Sequence, residues 1–451
     1  LLIFFMKIII AGAGDVGSHL AKLLASESHD IYLLDESEER LSAISSQIDV
    51  FTIAGDAKSV EIMEQKLMSS CDLLIAVTSS EETNMLICIL GKKLGAKRTI
   101  ARINDVNIIK ENKEHFYNEL GIDTLISPTH LATLEIQRLI NQASFTDDLE
   151  FEDGKLTVFG ISLSKNSPLI NKSVRESASL NPNLTFKPLA LHRNDFTLLV
   201  KNNTVFEEND IVYFIALRES IEDIIKICGK ENFKVKDIMI LGGSRIGLYT
   251  AELLEKEYRV TIVEKDKEKC ETIAGQLNKT LVINMDGHDV QLLEEEGLTD
   301  MDALISVTAD SEMNIMSSLV GKKYGIKKTI ARIENFDYIH LSQSIGVDTL
   351  INKKIIAASN IFKFVRKGNV SSVSNLHGVD AEIIEFVVNG SSKVTKAPIK
   401  DLKFPVTSNI AGVIRDGLPI IPFGNFQLME NDKTIVFSLT ESIKEIEKFF
   451  Q

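Results

Sequence analysis

The sequence predicts an α/β protein made of two tandem, Rossmann-like, doubly wound parallel-sheet domains, each followed by a small α+β lobe. Three observations predict it. Short apolar runs alternate with helical patterns over positions 6–140, the signature of a parallel sheet wrapped by helices. The same order of segments returns 230 positions later. Each pass then ends in a shorter, β-rich stretch. At 451 residues the chain can hold all four units, since roughly three or four domains fit that length.

The repeat is legible residue by residue. "CDLLIAVTSSEETNM" (Cys71–Met85) aligns with "MDALISVTADSEMNI" (Met301–Ile315), pairing Asp72 with Asp302, Thr78 with Thr308 and Asn84 with Asn314. "GKKLGAKRTIARI" (Gly91–Ile103) aligns with "GKKYGIKKTIARI" (Gly321–Ile333) at the same offset of 230. "GIDTLIS" (Gly121–Ser127) meets "GVDTLIN" (Gly346–Asn352) after a slip of five, as a loop insertion would produce. "FEENDIVYF" (Phe206–Phe214) resembles "LMENDKTIVF" (Leu428–Phe437) more weakly. The order is therefore A–B–A′–B′, with A over 6–140, B over 150–228, A′ over 234–365 and B′ over 375–451. Polar stretches join them.

Within A, "KIIIAG" reads as a strand from its β-branched run. Val16, Leu20 and Leu23 then recur at helical spacing. "DIYLLD" is a second strand, and Leu41, Ile44 and Ile48 mark a second helix. "DVFTIAGD", "CDLLIAVT", "RTIARI" and "IDTLISP" supply the remaining strands. The B units carry stretches such as "LTVFGISL" and "AEIIEFVV". Their Phe186, Phe196, Phe206, Phe404, Phe423 and Phe426 are expected in the core. Leu1–Phe5 are expected to lie upstream of a start at Met6.

Gly12-Ala13-Gly14-Asp15-Val16-Gly17 is a G-x-G-x-x-G loop after a strand and before a helix. Asp35 stands 18 positions after the third glycine, at the end of the second strand. That context points to a dinucleotide or adenine-nucleotide site. Gly12 allows the tight turn, Gly14 lets a pyrophosphate approach the backbone, and Gly17 lets helix and strand pack closely. Amides at the helix start, Asp15 and Val16 among them, then face the phosphates. Asp35 would accept from ribose hydroxyls and repel a 2′-phosphate, favouring NAD(H) or an adenine nucleotide over NADP. Asp56 and Ala57 end the third strand beside the adenine position. Thr78 is placed either near the phosphates or as a helix cap. Arg102 is placed to reach a phosphate or a neighbouring subunit, or else to form a surface ion pair.

The second loop is Gly242-Gly243-Ser244-Arg245-Ile246-Gly247, with Ser244 where the middle glycine stood. Its Cβ is expected to intrude where a pyrophosphate would lie. Arg245 adds a positive charge, Glu264 keeps the ribose-binding acid, and Asp286 and Thr308 match Asp56 and Thr78. A′ is either a nucleotide site of altered selectivity or weaker affinity, or a structural relic.

The formal charge of −14, with no Lys/Arg run longer than a pair, argues against a nucleic-acid partner, which usually needs a basic face. No segment has the roughly 18–20 apolar residues of a membrane span. Cys71, Cys88, Cys228 and Cys270 form no zinc or redox spacing and fit a reducing cytoplasm. His19 is expected at a surface or cap, and His130 near a helix start. No catalytic residue and no metal site is assigned.

The opening "MKIIIAGAGDVGSHLAKLL", the "AGDA" turn, "AVTSSEETNML", "TIARI" and "ENDIVYFI" together resemble the TrkA family, the peripheral subunits of Trk-type potassium uptake systems. The likeness covers the chain after Met6 and is looser over B. It implies tandem regulator-of-potassium-conductance domains, binding of NAD(H) and/or ATP/ADP, and no enzymatic activity. It further implies a homo-oligomeric, tetrameric ring docked from the cytoplasm on an integral-membrane potassium-translocating subunit. By resemblance Gly12, Gly14, Gly17, Asp35, Asp56 and Thr78 belong to the first nucleotide site. Gly242, Gly247, Glu264 and Asp286 belong to the second. The rival readings are an NAD-dependent oxidoreductase with a duplicated unit and a regulator of another cation channel or antiporter.

Overall fold

The computed structural model describes residues 6–25, 29–64, 68–110, 114–141, 147–193, 196–230, 233–335, 347, 349–365, 370–375, 381–439 and 442–450. Leu1–Phe5, with the start expected at Met6, fall outside this range, as do Gly346 and Asp348 of the repeat.

In A the strands are β1 (Lys7–Ala11), β2 (Asp30–Asp35), β3 (Phe51–Ala54), β4 (Leu73–Ala76), β5 (Arg98–Arg102) and β6 (Thr124–Ile126). They pair in parallel in the order β3-β2-β1-β4-β5-β6. The order reverses direction between β1 and β4, and that switch point is where such sheets bind ligands. Ile8, Ile9 and Ile10 are each 0% exposed, because helices cover both faces of the sheet. The helices of A are α1 (Asp15–Ala25), α2 (Glu38–Ser45), α3 (Val60–Glu64), α4 (Glu81–Lys93), α5 (Val106–Lys110), α6 (Glu114–Glu119) and α7 (Pro128–Asn141).

B forms a five-stranded antiparallel sheet, β10-β9-β11-β8-β7, from β7 (Asp147–Phe151), β8 (Leu156–Ser162), β9 (Phe186–Arg193), β10 (Phe196–Leu199) and β11 (Ile211–Leu217). Its helices are α8 (Val174–Ser177) and α9 (Ile221–Ile227).

A′ repeats A with β12 (Asp237–Leu241), β13 (Arg259–Glu264), β14 (Leu281–Asn284), β15 (Ala303–Ser306), β16 (Lys328–Arg332) and β17 (Thr349–Ile351), ordered β14-β13-β12-β15-β16-β17. Its helices are α10 (Arg245–Leu254), α11 (Lys267–Ala274), α12 (Val290–Glu295), α13 (Ser311–Lys323) and α14 (Lys353–Val365). B′ repeats B with β18 (Val370–Asn375), β19 (Ala381–Val387), β20 (Ser408–Arg415), β21 (Leu418–Ile420), β22 (Lys433–Leu439) and a final helix α15 (Ile443–Phe450). The strand order is again the same, β18-β19-β22-β20-β21.

The two A units exchange their last helices. Ser127 accepts from the His130 amide and Pro128 opens α7, a helix start that needs no amide at its first position. The apolar stripe Ala132, Ile136, Leu139 and Ile140 then packs in the A′ core with Ile246, Ala251 and Leu254 of α10. In return Asn352 caps α14 by accepting from Lys354 and Ile355. Ala358, Ile361, Phe362 and Val365 pack against Val16, Leu20 and Leu24 of α1. Each large side chain buried this way contributes about 1.5–3 kcal/mol, so the exchange ties the lobes together firmly.

The B and B′ sheets also share a core, in which Leu156, Val158 and Ile215 join Ile383, Ile414 and Phe437. Of the six phenylalanines expected inside, Phe186 and Phe206 are buried, and Phe404 and Phe426 pack partly against the B′ core. Phe196 and Phe423 depart from the expectation at 70% and 37% exposed. Phe196 lies on the edge strand β10, where only one face meets the sheet's own core. All four cysteines are buried and free. His19 is half-buried within α1, and burial holds its pKa below the usual value. Among the described residues no helix is long and apolar enough to cross a membrane.

Candidate functional site

Gly12 holds φ at +110°, and a Cβ there would lie 2.9 Å from the Thr78 amide nitrogen. A Cβ on Gly17 would lie 1.9 Å from the Gly12 carbonyl. Both glycines are thus demanded by the fold itself. Gly14 differs, because a Cβ there would meet nothing within 4 Å. The open space above it belongs to a cavity of about 520 Å³.

Nine of the ten residues expected at the first site line that cavity: Gly12, Gly14, Asp15, Val16, Asp35, Asp56, Ala57, Thr78 and Arg102. Gly17 sits behind, supporting the turn. Asp35 already accepts from the Ala13 amide at 2.6 Å and the Ser37 amide at 2.9 Å, so it fixes the loop as well as facing the ribose position. Arg40 lies 4.0 Å from it and partly offsets the charge expected to repel a 2′-phosphate. Thr78 is not the helix cap; Ser80 is, accepting from Thr83. The Thr78 hydroxyl instead donates to Asn84, whose amide bridges to the Arg102 carbonyl. Among the described residues Arg102 forms no surface ion pair. Its Nε is buried without a hydrogen-bond partner, and burial lowers its pKa while Asp15 opposes that shift.

Three cavity residues come from the other lobe: Glu334, Lys353 and Lys354. Lys354 Nζ stands 2.7 Å from Asp15 and 3.2 Å from Glu334. Lys353 stands 3.6 Å from Glu334, which also pairs with Arg332. Burial would raise the Glu334 pKa, but Lys353, Arg332 and Lys354 together hold it at about 2. Burial depresses Lys353, and the neighbouring Arg332 and Arg102 charges add to that. On this side of the cavity three lining cations, Arg102, Lys353 and Lys354, thus face two carboxylates, Asp15 and Glu334, with Arg332 also engaging Glu334. Such a wall suits the phosphates of a nucleotide.

The second loop is built differently. Gly242 keeps φ at +104°. Glu264 accepts from the Gly243 amide at 2.8 Å and the Asp266 amide at 2.9 Å, as Asp35 does in A. Ser244, however, is the N-cap of α10. Its Oγ accepts from the Gly247 amide at 3.3 Å and donates to the Val307 carbonyl at 2.9 Å. A helix start satisfied by its own side chain has less to offer an anion. In A the corresponding Gly14 has no side chain with which to cap α1. The serine therefore acts through its hydroxyl as well as its bulk. Arg332, the counterpart of Arg102, is engaged by Glu334 and the Thr308 carbonyl. Asp286 pairs with His288 at 2.9 Å. Arg245 opens α10 beside Tyr249, whose pKa burial raises and Arg245 lowers.

TrkA-N domains match residues 8–128 and 238–353, and TrkA-C domains match residues 158–229 and 383–451. The chain belongs to the TrkA family. It is 32% identical to the Trk system potassium uptake protein TrkA of Halomonas elongata, over 99% of each chain. It is 30% identical to the TrkA homolog 1 of Methanosarcina mazei, over 99% of this chain and all of that one. Its fold is similar to the GsuK channel bound to NAD, with TM-score 0.58 and 14% identity over 100% of this chain and 80% of that one.

For this TrkA-family chain, Lys353, Lys354 and Glu334 are the site residues that the sequence pattern missed. They lie beyond any loop motif. The available signal was a lysine pair directly after Asn352, where the repeat has Pro128 and Thr129 after Ser127.

Proposed function

We propose that the chain is a nucleotide-sensing gating subunit of a potassium uptake system, binding NAD(H) or ATP/ADP at the A loop. Gly12, Gly14 and Val16 would hold the pyrophosphate, Asp35 the adenosine ribose, and Asp56 and Ala57 the adenine side. One observation carries the reading. The uncapped start of α1 opens on a cavity whose far wall is the α14 lysines of the other lobe. A ligand there contacts both lobes at once, so its binding favours one arrangement of the lobes over another. Lys354, Asp15 and Glu334 of the cavity are engaged with one another in ion pairs, which supports a binding role.

Coupling at one site is typically about 1–3 kcal/mol, whereas a near-complete switch takes about 5.5. A homo-oligomeric, tetrameric ring on the cytoplasmic face of a potassium-translocating membrane subunit would add several such terms. Thermal unfolding with NADH, ATP and ADP tests the sensor. A ligand at a hundred times its Kd stabilises by about 2.7 kcal/mol, and the shift should vanish in Arg102→Ala. If no nucleotide moves the melting temperature of the parent protein, the reading fails.

A further inference from the structure

The B and B′ lobes repeat each other at an offset of 222. The same clamp fixes it in both: Arg193 grips Asp210 and donates to the Val205 carbonyl, and Arg415 grips Asp432 and donates to the Gln427 carbonyl. At this offset the counterpart of Lys187 is Asn409. These two residues touch, with Lys187 Nζ donating to Asn409 Oδ1 at 2.7 Å and to the Ile410 carbonyl at 3.1 Å. Equivalent residues in contact must lie at the axis that relates the two lobes.

We propose that Lys187 and Asn409 form a pairing lock that lets a B lobe join a B′ lobe but not another B lobe. Pairing B with B would bring two Lys187 ammonium groups to the same enclosed point. The side chain keeps some exposure along its stem, but its charged end is enclosed, and burial alone pushes its pKa down to about 8. Among the described residues no carboxylate charge acts on Lys187 to separate two such charges, and like charges meeting at an interface oppose the wrong partner. An asparagine answers a lysine there because its amide oxygen accepts.

Two further asymmetries agree. Gly412 lies against Ile215 of the B lobe, where a Cβ would come within 2.6 Å of Ile215 Cδ1. Its counterpart is Ala190, so a B–B pairing would press that methyl on Ile215. Lys433 of B′ pairs with Glu152 of B at 2.9 Å, and its counterpart in B is Ile211, which has no charge to give. Each chain supplies one B and one B′, so excluding B–B also leaves B′–B′ without a stoichiometric complement. The face is thereby reserved for a B–B′ pair.

Charge exchange in the full chain tests this. Asn409→Lys places two lysines at the axis and should lower the melting temperature by several degrees. Lys187→Asn, which leaves two amides facing, should change it little. The swap Lys187→Asn with Asn409→Lys should recover the parent value. If Asn409→Lys does not fold, recovery of folded protein by the swap is the expected result. A parent-like Asn409→Lys, or a swap no better than Asn409→Lys alone, overturns the lock.

Discussion

Lys354 of the second lobe meets Asp15 of the first across 2.7 Å, at the mouth of the cavity beneath the first glycine loop. Asp15 thus holds the cation that a bound phosphate would seek. Replacing Lys354 with Ala should weaken ATP and NADH binding about tenfold, or about 1.4 kcal/mol. ATP should suffer more, because its longer phosphate chain carries more charge. Asp15→Asn should act in the opposite direction and tighten both. Fluorescence titration at fixed ionic strength checks the pair; unchanged affinities in both variants would remove Lys354 from the site.

Gly14 and Gly17 separate ligand from fold. A methyl at Gly14 meets open space, whereas one at Gly17 would lie 1.9 Å from the Gly12 carbonyl. Gly14→Ala should therefore melt near the parent temperature and lose nucleotide binding. Gly17→Ala should lose stability with or without nucleotide, by about 1–3 kcal/mol as for other overpacked sites. Melting curves of both variants, with and without NADH, read the two effects.

Glu334 is held at about 2 against an ordinary value of 4.5. A carboxylate depressed in the folded state stabilises above its unfolded pKa and loses that contribution as pH falls through the folded one. The inter-lobe ion network should thus be fully present above about pH 4.5 and fade towards about pH 2. Parent protein should out-melt Glu334→Gln at neutral pH, and the gap should close with acid. A gap that stays constant over that range would show that the network contributes nothing.

Much of this was legible in the chain because the repeat compares it with itself. The strands of A and A′, their glycine loops and the acids Asp35 and Glu264 all follow from short local patterns. Four things did not. The lysines of α14 reach the first site only because the lobes exchange helices, and a contact between positions 15 and 354 leaves no local trace. The expectation for Ser244 rests on its Cβ, although a serine three positions before the Gly247 amide is equally a cap. Thr78 is a cap candidate by position alone, but the nearby Ser80 holds that place. The core expectation for Phe196 fails because composition cannot distinguish an edge strand from a central one.

The central claim is that one chain carries two unequal loops, the first open to phosphate and the second closed on itself by Ser244. Isothermal titration of parent protein and Ser244→Gly with NADH and with ATP tests it most directly. Loss of the cap to glycine costs only a few tenths of a kcal/mol, so the fold survives the change. The account predicts one strong site per chain in the parent and a strengthened second site in Ser244→Gly. Two equal sites in the parent, or a second site unmoved by Ser244→Gly, would contradict it.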